Sequence, residues 1–163
     1  MKTKKLTMMA LMTCAAVMIH ALEALLPQLI PIPGIKPGLA NIITLLALYW
    51  LKPFEALLIV TARLLIGCFL GGSLSALLYA AAGSAVSLAL MLPLSRSIDA
   101  EYLYLVSILG AAGHNLGQIA LAVAITKTPG LLSYLPVLLL SGCVTGLFTG
   151  LCARTVVRRL KIK

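Results

Sequence analysis

Six long apolar runs decide what this chain can become. They lie at about residues 6–30, 38–51, 54–70, 73–94, 102–126 and 132–157, and nearly all the charges fall at the breaks between them. At 1.5 Å per helical residue, about 20 residues cross roughly 30 Å of hydrocarbon. Most of the runs reach that length, while the second is short and stops at Lys52-Pro53. They are continuous rather than alternating, and too long for barrel strands, so helices are expected. A soluble core cannot hide this much apolar surface: only 10% of the residues are charged, against about a quarter in an ordinary soluble domain. The expected fold is an all-α membrane protein, one transmembrane domain over residues 1–163 built as a bundle of six transmembrane helices.

The bases give the bundle a direction. With a cytoplasmic N-terminus, Lys2, Lys4, Lys5, Lys52, Arg96, Arg154, Arg158, Arg159, Lys161 and Lys163 fall inside, and only Lys36 and Lys127 outside. That asymmetry places both termini in the cytoplasm of a multi-pass cell-membrane protein. The net charge of +9 then reflects anchoring to anionic lipid. Nucleic acid is not an expected partner, because the bases are scattered over loops with no aromatic-studded basic face. MKTKK followed by LTMMALMTC has the form of a signal peptide, but the apolar run continues well past Cys14, so a first transmembrane helix is expected.

Several chemistries are missing from the sequence. Cys14, Cys68, Cys143 and Cys152 form no C-x-x-C pair and fall within apolar runs, where small buried packing residues are expected. There is no phosphate-binding loop, no G-x-G-x-x-G and no H-E-x-x-H, so no cofactor is expected and the chain carries no ATPase of its own. What recurs instead is small residues four apart: Gly67/Gly71, Gly113/Gly117, Gly142/Gly146/Gly150 and, more weakly, Ala76/Ala80/Ser84. Such stripes let helix backbones approach closely in lipid, where there is little hydrophobic drive between helices.

Against this background the polar residues inside the runs stand out: His20, Glu23, Asn41, Thr44, Arg63, His114, Asn115 and Gln118. A charge at mid-bilayer costs about 2.5 to 3.5 kcal/mol on insertion scales, so it is paired or serves a site. Arg63 has Glu23 as its candidate ion-pair partner and is equally placed to grip an anionic guest. His114 and Gln118, four apart, share a helix face, with Asn115 turned by about 100°. These three serve either as interhelical hydrogen-bond glue, worth roughly 0.6 kcal/mol per bond, or as a binding site. Lys36, in the loop PIPGIKPG, joins them as a second cation over an entry from outside, with that loop acting as a lid.

The strings GIKPGLANIITLLALYWL, EALLIVTARLLIGCFLGG and LGAAGHNLGQIALA resemble the membrane family called heptaprenyl diphosphate synthase component I, or Gx transporters, over about residues 32–123. That family is similar in turn to the substrate-binding S components of energy-coupling-factor (ECF) importers. The resemblance implies an S-component-like fold with a small-molecule guest and partner transmembrane and ATPase subunits. On the first helix, where S components carry an alanine stripe for docking, this chain offers Ala10 and Cys14. The word synthase is not matched by the sequence. Prenyl elongation needs aspartate-rich motifs to hold magnesium and diphosphate, and Asp99 is the single aspartate here.

The expectation is therefore a non-enzymatic capture subunit for a small vitamin-like or isoprenoid/quinone-related molecule, anionic if Arg63 grips it. Its substrate-binding residues would be Arg63, His114, Asn115, Gln118, Glu23, Asn41 and Lys36. The alternative is a membrane accessory or scaffold for isoprenoid-quinone synthesis or electron transfer.

Overall fold

The structure is a computed structural model that describes residues 2–25, 38–70 and 74–160. Among these residues there are six α-helices: α1 (Lys2–Ala24), α2 (Asn41–Trp50), α3 (Pro53–Phe69), α4 (Leu74–Ser97), α5 (Leu103–Thr126) and α6 (Leu135–Arg159). Short 3-10 turns at Ala100–Tyr102 and Pro129–Tyr134 lead into α5 and α6, and the described residues contain no strand. Four stretches are long and apolar enough to cross a bilayer: Thr3–Glu23, Leu74–Ser97, Ala100–Thr126 and Pro129–Arg159. At 10 and 17 residues, α2 and α3 are shorter than a full crossing requires.

Local chemistry sets the element ends. Lys52 is extended (ψ 154°), as the residue before a proline prefers, and Pro53 opens α3, where a missing amide costs nothing. The Glu55 carboxylate accepts the Lys52 backbone N–H at 3.0 Å and pairs with the Lys5 ammonium of α1. The expected end of the fourth run near Leu94 is corrected, since α4 continues to Ser97 through Pro93. Ile98 N–H still closes on the Leu94 carbonyl at 2.9 Å, and the Ser95 and Ser97 hydroxyls bond back to the Leu92 and Pro93 carbonyls. The polar string after Leu94 is thus a helix end wrapped in its own hydrogen bonds.

The helix α5 runs between α4 and α6, and glycines permit the contact on both sides. A Cβ at Gly117 would lie 2.6 Å from the Ala82 carbonyl oxygen of α4, and one at Gly146 would lie 2.8 Å from the Ile108 Cα of α5. Gly142 and Gly150 likewise face α5, so these stripes serve packing within the chain. The cysteines depart from expectation. All four are free thiols, and Cys14 and Cys143 lie on exposed helix faces rather than in the packed interior.

Three contacts gather the basic ends. Lys5 pairs with Glu55, the Tyr49 hydroxyl donates to the Ile98 carbonyl at 3.1 Å, and Arg154 pairs with Glu101 at 3.1 Å. The start of α1, the α2–α3 and α4–α5 junctions and the end of α6 therefore share one end of the bundle. Beneath them lies the main apolar core, where Met12, Leu45, Ile59, Met91, Leu103 and Val157 converge from all six helices.

Candidate functional site

Toward the other end, the helices part around a cavity of about 300 Å³. His20 and Glu23 of α1, Arg63 and Leu64 of α3, Leu77 and Ala80 of α4, and His114 and Gln118 of α5 line it, with Gly38 at the turn before α2. The walls are mostly apolar, with a few polar groups converging from different helices, as small-molecule sites are built.

Arg63 is buried, with 4% of its surface exposed. One terminal guanidinium nitrogen donates to Ser84 Oγ of α4 at 3.1 Å, while its Nε has no acceptor among the described residues. A guanidinium carries five donor hydrogens in a fixed fork and cannot shed its charge. Arg63 therefore holds more donor capacity than the protein occupies.

Glu23 is also buried, and its Oε1 accepts the backbone amides of Gly38 and of Leu39, the latter at 2.9 Å. It thus fastens the end of α1 to the turn that starts α2, where amides and the helix dipole favour negative charge. The carboxylate also lies within electrostatic reach of Arg63. Gly38 makes this turn with φ +82°, a left-handed conformation that glycine adopts freely. A Cβ there would lie 3.2 Å from His114 Cδ2 and 3.3 Å from Asn41 Nδ2, so the turn passes tightly over both side chains.

The His114 imidazole lies against Gly83 of α4, and its Nδ1 has no partner among the described residues. An added Cβ at Gly83 would stand 2.9 Å from both the His114 and the Gln118 side chains. Gly83 is therefore what lets α4 press against this face of α5. On α1, the His20 ring lies over Gly67 of α3, 2.8 Å from where a Cβ would be.

Of the residues the sequence singles out, Glu23, Arg63, His114 and Gln118 share this one cavity, with His20 beside them. Asn115 turns away from it: its Nδ2 donates to the Leu138 carbonyl of α6 at 2.6 Å, the bond expected of glue between helices. Asn41 sits behind Gly38, buried, with no acceptor for its Nδ2 among the described residues. Lys36 and the loop PIPGIKPG as far as Pro37 lie outside the described residues. Sequence reasoning did not single out Gly38, Gly83 or Ser84 as parts of the site. Their signals were a glycine just before α2 and a weak small-residue stripe on α4, both of which also fit plain packing.

The family model of heptaprenyl diphosphate synthase component I matches residues 12–156. No curated protein and no solved structure matches the chain.

Proposed function

The chain belongs to the heptaprenyl diphosphate synthase component I family, and from that premise we propose that it is a non-catalytic membrane subunit that captures a small molecule, as the S component of an ECF-type importer does. The observation that carries this reading is Arg63: a buried guanidinium whose Nε has no acceptor among the described residues, on the wall of a cavity of about 300 Å³. Hydrocarbon depth does not keep a charge without a use, and intramembrane ionisable groups mark ligand paths. The volume lies at the low end of small-molecule sites, which favours a compact vitamin-like guest or a short quinone-related ring over a whole heptaprenyl chain. Placing the basic end in the cytoplasm puts the cavity in the outer half of a six-helix bundle, open to guests from outside. Moving the guest inward then requires partner transmembrane and ATPase subunits, since this chain has no nucleotide motif.

The word component in the family description supports a second reading, a scaffold for isoprenoid-quinone synthesis. On that reading too the chain is not the catalyst, with a single aspartate, Asp99, to offer magnesium. Purification in mild detergent followed by mass spectrometry of co-purified small molecules and proteins separates the two. Capture requires a retained small molecule that Arg63→Ala loses. Retention of a prenyl-transferase subunit, with no small molecule and no effect of Arg63→Ala, selects the scaffold.

A further inference from the structure

If the cavity captures a guest as proposed above, its α4 wall decides the shape that fits. Small residues four apart in lipid ordinarily mark a close helix crossing, and two of the glycines do so here: Gly117 meets the Ala82 carbonyl and Gly146 the Ile108 backbone. The small stripe on α4 changes character along its length. Ser84 is buried and accepts a hydrogen bond from Arg63 at 3.1 Å. Ala80 and Ala76, one and two turns nearer the start of the helix, are half-buried and line the cavity. Their smallness leaves room for a guest instead of bringing another backbone close.

That strip begins at a buried donor. Arg63 has 4% of its surface exposed, and its Nε, on the same cavity wall, has no acceptor among the described residues. At 1.5 Å per residue, Ala76 lies about 12 Å along the helix axis from Ser84, and Val17 and Leu25, in α1 and just past its end, line the cavity as far apart. A volume of about 300 Å³ drawn out over that depth has a section of about 25 Å², the section of a slot. Both α1 and α4 pack on α3, and the slot lies between them. An alanine surface carries nothing beyond Cβ, so a flat body rests on it at van der Waals distance across its whole face, while a puckered body touches it at few points.

We propose that the cavity takes a flat ring system with an oxygen acceptor at one edge: the acceptor meets Arg63 beside Ser84, the first ring lies over Ala80 and the next over Ala76. Arg63 then sets the guest's polarity, and the two alanines set its shape.

The test uses three probes: benzoate, 2-naphthoate and its puckered counterpart, decahydro-2-naphthoate. Equilibrium binding to the full chain in lipid nanodiscs is measured with empty nanodiscs as the blank. The wild type is expected to bind 2-naphthoate at least tenfold more tightly than either of the others. Ala76→Leu is expected to weaken 2-naphthoate at least tenfold and leave benzoate unchanged, which also shows that this variant is folded. Ala80→Leu and Arg63→Gln are each expected to weaken both, and Ala85→Leu, on the exposed face of α4, neither. If Ala76→Leu and Ala80→Leu leave 2-naphthoate unchanged while Arg63→Gln loses it, the α4 bed is overturned and the capture reading stands. Equal binding of 2-naphthoate and its decahydro counterpart by the wild type overturns the flat ring. No binding of any probe by the wild type also overturns it, and the capture reading falls with it only if the purified chain retains no small molecule either.

Discussion

At Gly117 a single methyl group decides whether α4 and α5 can meet. A Cβ there would fall 2.6 Å from a backbone oxygen and 2.9 Å from the Gly83 Cα, atoms that move only if a helix moves. At Gly113 the nearest obstacle is Leu90 Cδ1 at 2.5 Å, the far end of a side chain with other rotamers, and at Gly130 nothing lies within 4 Å. Overpacking a close contact costs typically about 1–3 kcal/mol. Thermal unfolding in one detergent should therefore rank Gly117→Ala as the most damaging, Gly113→Ala as milder and Gly130→Ala as near neutral; equal midpoints for all three would contradict the close crossing. A second residue-scale contrast is between neighbours. His114→Ala is expected to lose guest retention with little loss of stability. Asn115→Ala is expected to lose roughly 0.6 kcal/mol of helix adhesion and keep the guest, because its bond goes to Leu138 of α6 and not into the cavity. Guest retention and unfolding midpoint, measured on both variants, read the two effects separately.

Element ends carry the pH dependence. Glu55, in the first turn of α3, is held below its ordinary value of 4.5, first by the hydrogen bond from the Lys5 side chain and then by the Lys52 amide. A carboxyl whose folded pKa is depressed contributes stability above its unfolded pKa and loses it as pH falls through the folded value. The tie between the starts of α1 and α3 is thus complete near neutrality and released below about pH 4.5. Hydrogen exchange over the first turns of α1, corrected for intrinsic rate, should show protection lost in that acid window. In Glu55→Gln the protection should already be reduced at pH 7 and show no acid step, and an unchanged step in that variant would remove the tie from the account. The same element shows what a sequence reading can recover. The start of α3 was legible because Lys52-Pro53 is a local signal, as were the apolar runs and the shared face of His114 and Gln118. The turn at Gly38 and the Ser84 partner of Arg63 were not legible, because each depends on which helix lies opposite, and no spacing within one run encodes that. The end of α4 was placed three residues early for a related reason: the polar string after Leu94 reads as a loop, yet serine hydroxyls can bond back to the carbonyls of their own last turn.

For the whole molecule, the arrangement of ends matters more than the length of any one helix. Ten residues of α2 span about 15 Å and seventeen of α3 about 25 Å, both short of a full crossing. Yet α2 ends at the basic pole, beside Ile98, and begins at the Gly38 turn on the cavity rim, so its modest length covers only the depth between core and cavity. A bundle built this way is asymmetric: one pole holds paired acids and bases over a packed apolar core, and the other holds the hollow with Arg63. Positive charge is retained on the cytoplasmic side during insertion, so the proposed topology turns the hollow outward. The test is labelling of intact cells with a membrane-impermeant maleimide, in a background where Cys14, Cys68, Cys143 and Cys152 are replaced by serine. Gly130→Cys, in the exposed turn before α6, should label from outside, and Arg159→Cys, in the last turn of α6, only after permeabilisation. The reverse pattern would turn the hollow toward the cytoplasm, and capture from outside would then have no entrance.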